Sequence, residues 1–343
     1  MGACAQRPVT EPSESHMSPE SDETLESAIL GARPELTSDD VARASGFTPE
    51  QTVRFWRALG FATARSEPVF TDADVRALSL VASSMESGDL DEETLLRMTR
   101  ALGQSMARLA DWQVGTLANR IEQLESGDKA VGSRLASAMR LVELVGPTFE
   151  ELLLYVWRRH LAAAAVRVEE WGEHEEHLNL ARLTIGFADL VGFSAYSNEL
   201  TREEIGEMVE EFENRCLDAV ARRRGRVIKT LGDSVLFVAD TPLAAYGVAE
   251  EIIKQIGASP TLPDVRIGLA TGPVVLRLGD VFGPAVNLAA RMTSVARRNR
   301  VICDAETAVA LPAEEFEIRH LPPRPVRGFG DVAPIAVRHR AID

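Results

Sequence analysis

The sequence predicts an α+β protein, with an all-α first part followed by an α/β sandwich in which one mixed sheet is covered by helices. Three observations carry this. From Leu36 to about Glu170 apolar residues recur at helical spacing, with breaks near Gly88-Asp89, Gly127-Asp128 and Gly146-Pro147. From Leu183 onward β-rich runs alternate with helical patterns, the order expected of a sheet layered with helices. Between Leu183 and Met292 three polar signatures stand among the apolar strands, and the rest of the chain reads as apparatus attached to them.

Composition narrows the function. The 343 residues suffice for two domains, and 45% hydrophobic content is ordinary for a globular protein. No run approaches the roughly 18 apolar residues of a membrane span. Met-Gly-Ala-Cys-Ala leads into Arg7 and acidic, Ser/Pro-rich sequence, so neither a signal peptide nor a lipid anchor at Cys4 is expected. Cys4, Cys216 and Cys303 lack metal or redox spacing, which fits a reducing, cytoplasmic setting. A net charge of −15 disfavours nucleic acid as the main partner.

Residues 1–27 are polar and acidic and are expected to remain disordered. Residues 28–147 form the helical domain. Thr37 or Ser38 caps a helix that runs through Ala44 and closes at Gly46, and Thr48-Pro49-Glu50-Gln51 opens a second with cap, N1 proline and N3 glutamine. Two capped helices joined at a glycine make a helix-turn-helix. Arg54 and Arg57 on the second helix could face nucleic acid, but Asp39, Asp40 and Glu50 on the same unit favour protein packing. Further on, Leu95, Met98, Thr99, Leu102, Met106, Leu109 and Trp112 fall on one stripe, most simply core. Residues 148–182 form a helical linker, apolar first and charged later, with His160, His174 and His177 on or beside it.

In residues 183–343, Thr201-Arg202-Glu203-Glu204 is a capping box, Asp240-Thr241-Pro242 opens another helix, and strands are expected at Val265–Ala270 and near Glu317 and Ala336. The basic run Arg222–Arg226 reads as a solvated helix C-terminus. Of the three signatures, T-I-G-F-A-D-L-V-G-F-S ends a strand at Asp189. V-I-K-T-L-G-D-S-V-L-F-V joins two strands at Gly232-Asp233, a hairpin presenting a carboxylate at its tip. G-D-V-F-G-P-A-V-N-L-A-A-R-M sets Asp280 before a helix carrying Asn287 and Arg291 one turn apart on one face. Two aspartates at a strand end and a neighbouring tip can share hard cations, because Mg²⁺ takes one or two carboxylates plus substrate phosphates.

From about Ala181 to the C-terminus the chain resembles the catalytic domain of class III adenylyl cyclases. Lys229 stands four before Asp233, Asn287 seven after Asp280 and Arg291 four after Asn287, as in that family. The resemblance implies a ferredoxin-like sandwich that converts ATP to cyclic AMP and pyrophosphate. It implies that Asp189 and Asp233 hold two Mg²⁺ or Mn²⁺ ions per active site, that Lys229 and Asp280 read adenine, and that Asn287 and Arg291 orient the ribose and stabilise the transition state. It also implies a head-to-tail homodimer with composite sites. Val326-Arg327-Gly328-Phe329-Gly330 stands where many members have K-G-x-G, making Arg327, or else Arg277, a candidate phosphate contact. The segment Val41–Phe61 with Val69–Val75 resembles the first half of a MerR-type winged helix. Together with Trp56–Phe61 and Arg100–Gln104, the first part is similar to the regulatory domain of soluble bacterial cyclases that are more active in acid. Histidine, with a pKa of about 6.5, is the expected sensor. The rival readings are a guanylyl cyclase, disfavoured by Lys229 and Asp280, and a silent nucleotide- or DNA-binding regulator, disfavoured because all six positions are filled.

Overall fold

The computed structural model describes residues 24–62, 67–88, 90–125, 134–172, 180–277, 279–326 and 328–340. The chain divides into two compact units, Met1–His160 and Leu161–Asp343.

In the first unit α1 (Leu25–Leu30) precedes α2 (Ser38–Ser45), α3 (Pro49–Ala58) and α4 (Asp72–Glu86). Both expected caps form. Asp40 N–H donates to Thr37 Oγ1 at 3.3 Å while Thr37 N–H donates to an Asp40 carboxylate oxygen at 3.0 Å, and Thr48 with Gln51 repeats the box on α3. Gly46, with φ of 81°, closes α2 in the left-handed conformation that glycine adopts without strain. Val41, Phe47, Phe55, Phe70, Leu78 and Leu96 form the core, with Phe47 stacked on Phe55 at 5.2 Å. A bridge between Leu36 and Phe70 ties the entry of α2 to that of α4.

The long helix α5 (Glu92–Glu125) crosses α3 where Gly103 meets Leu59, and a Cβ at Gly103 would overlap the Leu59 backbone. Arg54 donates to Glu92 at 2.5 Å and lies 3.6 Å from Glu93, so this arginine of the helix-turn-helix is committed to α5. The expected core stripe on α5 is only partly covered. Leu95 and Leu96 are buried, whereas Met98, Leu102 and Trp112 are 58%, 52% and 64% exposed. Periodicity reports a face that needs cover without saying what supplies it. The helix α6 (Arg134–Gly172) also corrects an expectation, because it runs unbroken through Pro147. Its 39 residues absorb the one backbone bond that a proline removes. Tyr155 and Trp157 on α6 are likewise exposed.

In the second unit β1 (Leu180–Leu190) and the short α7 (Phe193–Tyr196) lead to α8 (Arg202–Arg222). The hairpin β2 (Arg226–Thr230) and β3 (Ser234–Ala239), then α9 (Pro242–Gly257) and β4 (Val265–Arg277), follow. These give the order β2-β3-β1-β4, all antiparallel, which is the ferredoxin-like arrangement. After β5 (Asp280–Phe282) come α10 (Pro284–Val295), β6 (Val301–Cys303), α11 (Ala305–Val309), β7 (Phe316–His320), β8 (Arg324–Val326), β9 (Gly330–Val332) and β10 (Ile335–His339). The sheet continues beyond β4 through β6, parallel to it, to β10 and β7, and β8 pairs with β9 separately.

Alternation along β1 decides the layers. Ala188 and Leu190 join Phe212, Cys216, Ile252 and Ile256 of α8 and α9 on one face, and Leu183 and Ile185 join Ala285 and Ala289 of α10 on the other. The sandwich that the sequence predicts is therefore present.

Gly268 fixes α10 on the sheet, because a Cβ there would overlap the backbone of Thr293 and Ala289. Replacing Gly268 with Ala should destabilise this unit by about 1–3 kcal/mol. A thermal melt should register this as a clear loss, and an unchanged melting temperature would refute the role.

Candidate functional site

Asp189 is the penultimate residue of β1, in register with Ser234 on β3 and Arg266 on β4. Ser234 donates its hydroxyl to one Asp189 carboxylate oxygen, and Arg266 donates to the other at 2.6 Å. The Asp189 side chain is only 14% exposed. Asp233 occupies the β2–β3 turn, where Gly232 takes a φ of 69° and Leu231 N–H donates to the Ser234 carbonyl at 2.7 Å. Leu190 N–H donates to the Asp233 carbonyl at 2.9 Å, which fastens the turn to the end of β1.

The electrostatics follow from that fastening. Burial, and then the charge of Asp189, hold the Asp233 carboxyl above the ordinary carboxylate range. A divalent cation would relieve both effects by supplying the missing charge. Among the described residues no three His, Cys, Asp or Glu side chains gather as a closed metal cage. A carboxylate pair with open positions fits an ion whose remaining ligands are phosphates and water.

A second pair lies on β2 and β5. Lys229 follows a register shift between Val227 and Lys229, and its Nζ donates to Asp280 Oδ2 at 2.6 Å. The other Asp280 oxygen accepts from Val281 N–H at 2.8 Å, so the carboxylate is held from two sides. Gly279, with φ of 76°, turns β4 back into β5. Asn287 and Arg291 are exposed on α10, and their side chains make no hydrogen bond or ion pair with another described residue.

The fold thus brings Asp189 to Asp233 and Lys229 to Asp280, and leaves Asn287 and Arg291 facing outward. Arg277 is exposed at the end of β4, and His160 is exposed on α6. Arg327, His174 and His177 lie outside the described residues. Sequence reasoning missed Arg266. Its signal was a cation inside the otherwise apolar strand Val265–Ala270, one residue type that a strand face does not need.

The pattern described as "Adenylate and Guanylate cyclase catalytic domain" matches residues 176–337. An adenylate cyclase of Streptomyces coelicolor is 39% identical over 343 residues, which span 92% of this chain and 89% of that protein. One of Streptomyces griseus is 41% identical, spanning 84% of this chain and 71% of its own length. A protein of Mycobacterium tuberculosis named a pH-sensitive adenylate cyclase is 28% identical over 89% of this chain and 79% of its own length.

The raised Asp233 carboxyl has a definite sign in stability. The folded state binds this proton more tightly than the unfolded state, so ionised Asp233 opposes folding at neutral pH and that opposition fades as pH falls through the raised value. Without divalent ions, Asp233→Asn should therefore melt above the wild type near neutral pH, with the gap closing on acidification. A variant that melts lower at neutral pH would contradict this.

Proposed function

Because this chain belongs to the class III adenylyl cyclases, and so converts ATP to cyclic AMP and pyrophosphate, we propose how its residues divide that work between two copies. The reaction depends on a divalent metal, and the carboxylate pair Asp189–Asp233 is the observation that carries the assignment. That pair would hold two Mg²⁺ or Mn²⁺ ions. Bound there, the ions would acidify the ribose 3′-hydroxyl and offset the triphosphate charge. Phosphoryl transfer needs mostly positioning and charge stabilisation from protein, and the chain's own groups suit both. Arg266, already against Asp189, can turn to phosphate once cations take that carboxylate.

Lys229 donates to adenine N1 and Asp280 accepts from N6. Their 2.6 Å pairing supports this by setting donor beside acceptor, while Val281 N–H holds the carboxylate in one orientation. Guanine presents the reverse order at that edge and would leave both groups unsatisfied. Asn287 orients the ribose and Arg291 meets charge developing at the α-phosphate. Their exposure on α10 favours a nucleotide whose metal-bound end is carried by a second copy. The uncovered apolar residues Trp112, Tyr155 and Trp157 also favour a homodimer. Arg327 or Arg277 completes the phosphate contacts.

The first unit is read as an all-α regulatory domain with a MerR-like helix-turn-helix used for protein packing, consistent with Arg54 being bound to α5. The division into residues 28–147, 148–182 and 183–343 belongs to this reading, as does a cytoplasmic location. The pH-sensitive relative supports regulation by pH, and activation by acid is part of this reading, with His160, His174 and His177 as the proposed sensors.

Two tests address these assignments. Asp189→Ala and Arg291→Ala should each abolish activity alone, and an equal mixture should regain up to about a quarter of it, because half the dimers carry one intact site. No recovery, with subunits shown to exchange, would rule out shared sites. The triple alanine variant of His160, His174 and His177 should flatten the ratio of activity at pH about 6 to pH about 8, measured with Mn²⁺-ATP and Mn²⁺-GTP. An unaltered ratio would remove the histidines from regulation.

A further inference from the structure

Ser234, Asp189 and Arg266 stand side by side across three neighbouring strands, because β3 and β4 each set one residue in register with Asp189 on β1. The row gives the two oxygens of Asp189 different partners. Oδ1 accepts the Ser234 hydroxyl, whereas Oδ2 takes both Nε and Nη2 of Arg266, each at 2.6 Å. Ser234 reaches the other carboxylate as well: its carbonyl accepts from Leu231 N–H at 2.7 Å and so closes the turn that carries Asp233. One serine thus ties the side chain of Asp189 to the backbone that presents Asp233. We propose that Ser234 is a positioning residue of the cation site, anchoring Asp189 by Oδ1 so that cations take Oδ2 in exchange for Arg266. This rests on the reading of Asp189 and Asp233 as that site.

Chemistry separates the anchor from the exchangeable partner. A hydroxyl is neutral and uses one lone pair of the carboxylate, so the Ser234 bond can persist beside a metal ion. The guanidinium cannot, because it carries the same sign of charge and claims the same oxygen. Exposure points the same way. The Arg266 side chain is 34% exposed and has a route outward, whereas the Asp189 side chain, at 14%, needs a donor whatever else occupies the site. The β1–β3 ladder holds the Ser234 backbone directly opposite Asp189, so the hydroxyl is delivered by strand register rather than by a mobile loop. A ligand oriented by such an outer bond binds metal about ten to a hundred times better than one without it.

Titration of the full chain with Mn²⁺, free ion being followed by electron paramagnetic resonance, tests this without turnover. Binding that Asp189→Asn removes defines the site. Ser234→Ala should weaken that binding by about tenfold or more, and Ser234→Thr, which keeps the hydroxyl on a side chain suited to a strand, should return it to within about threefold of wild type. Arg266→Gln should act in the opposite direction and bind Mn²⁺ more tightly, because the competing cation is gone. Thermal melts in chelator establish that each variant is folded, and Ser234→Cys, a weak donor of similar size, takes the place of Ser234→Ala if that variant is not. Unchanged binding in Ser234→Ala, equal losses in Ser234→Ala and Ser234→Thr, or weaker binding in Arg266→Gln would each overturn the proposal alone. No Asp189-dependent Mn²⁺ below about 10 mM would overturn the underlying reading with it.

Discussion

The bond from Leu190 N–H to the Asp233 carbonyl, 2.9 Å long, holds two acidic residues at one corner of the sheet that their charges would drive apart. The sheet supplies the constraint. Six residues of β1 pair with β3 from Thr184 to Asp189, so the turn carrying Asp233 has no freedom to retreat. The result is a raised Asp233 carboxyl and an Asp189 that takes a hydroxyl and a guanidinium as partners. On the proposed reading, stability given up here becomes affinity for cations, the usual exchange at a functional site.

The same logic explains the other ion pairs. On a chain of charge −15, the cations that the proposed reading gives to a nucleotide would otherwise point into solvent without order. Lys229 and Arg266 instead rest on Asp280 and Asp189. The Lys229 and Asp280 side chains are 37% and 28% exposed, so solvent screens the pair and its separation costs little. The groups are thus held in place yet remain exchangeable, and on the proposed reading the incoming nucleotide needs only to substitute one partner for another.

What was legible in the sequence was local or periodic. Thr201 with Glu204 and Thr48 with Gln51 are capping boxes in letters and in space, and Gly232-Asp233 turns the expected hairpin. Strand and helix order gave the sandwich, and the spacing from Lys229 to Asp233 and from Asp280 to Arg291 gave the polar constellation. The parts that were not legible depend on distant neighbours. Arg266 reads as an ordinary strand cation until the register of β1 and β4 sets it opposite Asp189. Met98 and Trp112 read as core because apolar spacing is blind to which face meets a partner. Pro147 reads as a break because the length of α6 on both sides of it is not a local property.

The distribution of constraint suggests where control can act. Gly268 presses α10 onto the sheet, and the carboxylate and Lys229–Asp280 pairs are each set by strand register, so one copy alone has little room to move these groups. On the proposed reading, Arg291 of one copy must meet a phosphate held by the carboxylates of another, and that meeting is set by the placement of the two copies. Reactions governed by positioning lose about a hundredfold for a misplacement near 1 Å. On that reading the first unit need not touch the chemistry to regulate it: a small bias on how two copies face each other is sufficient.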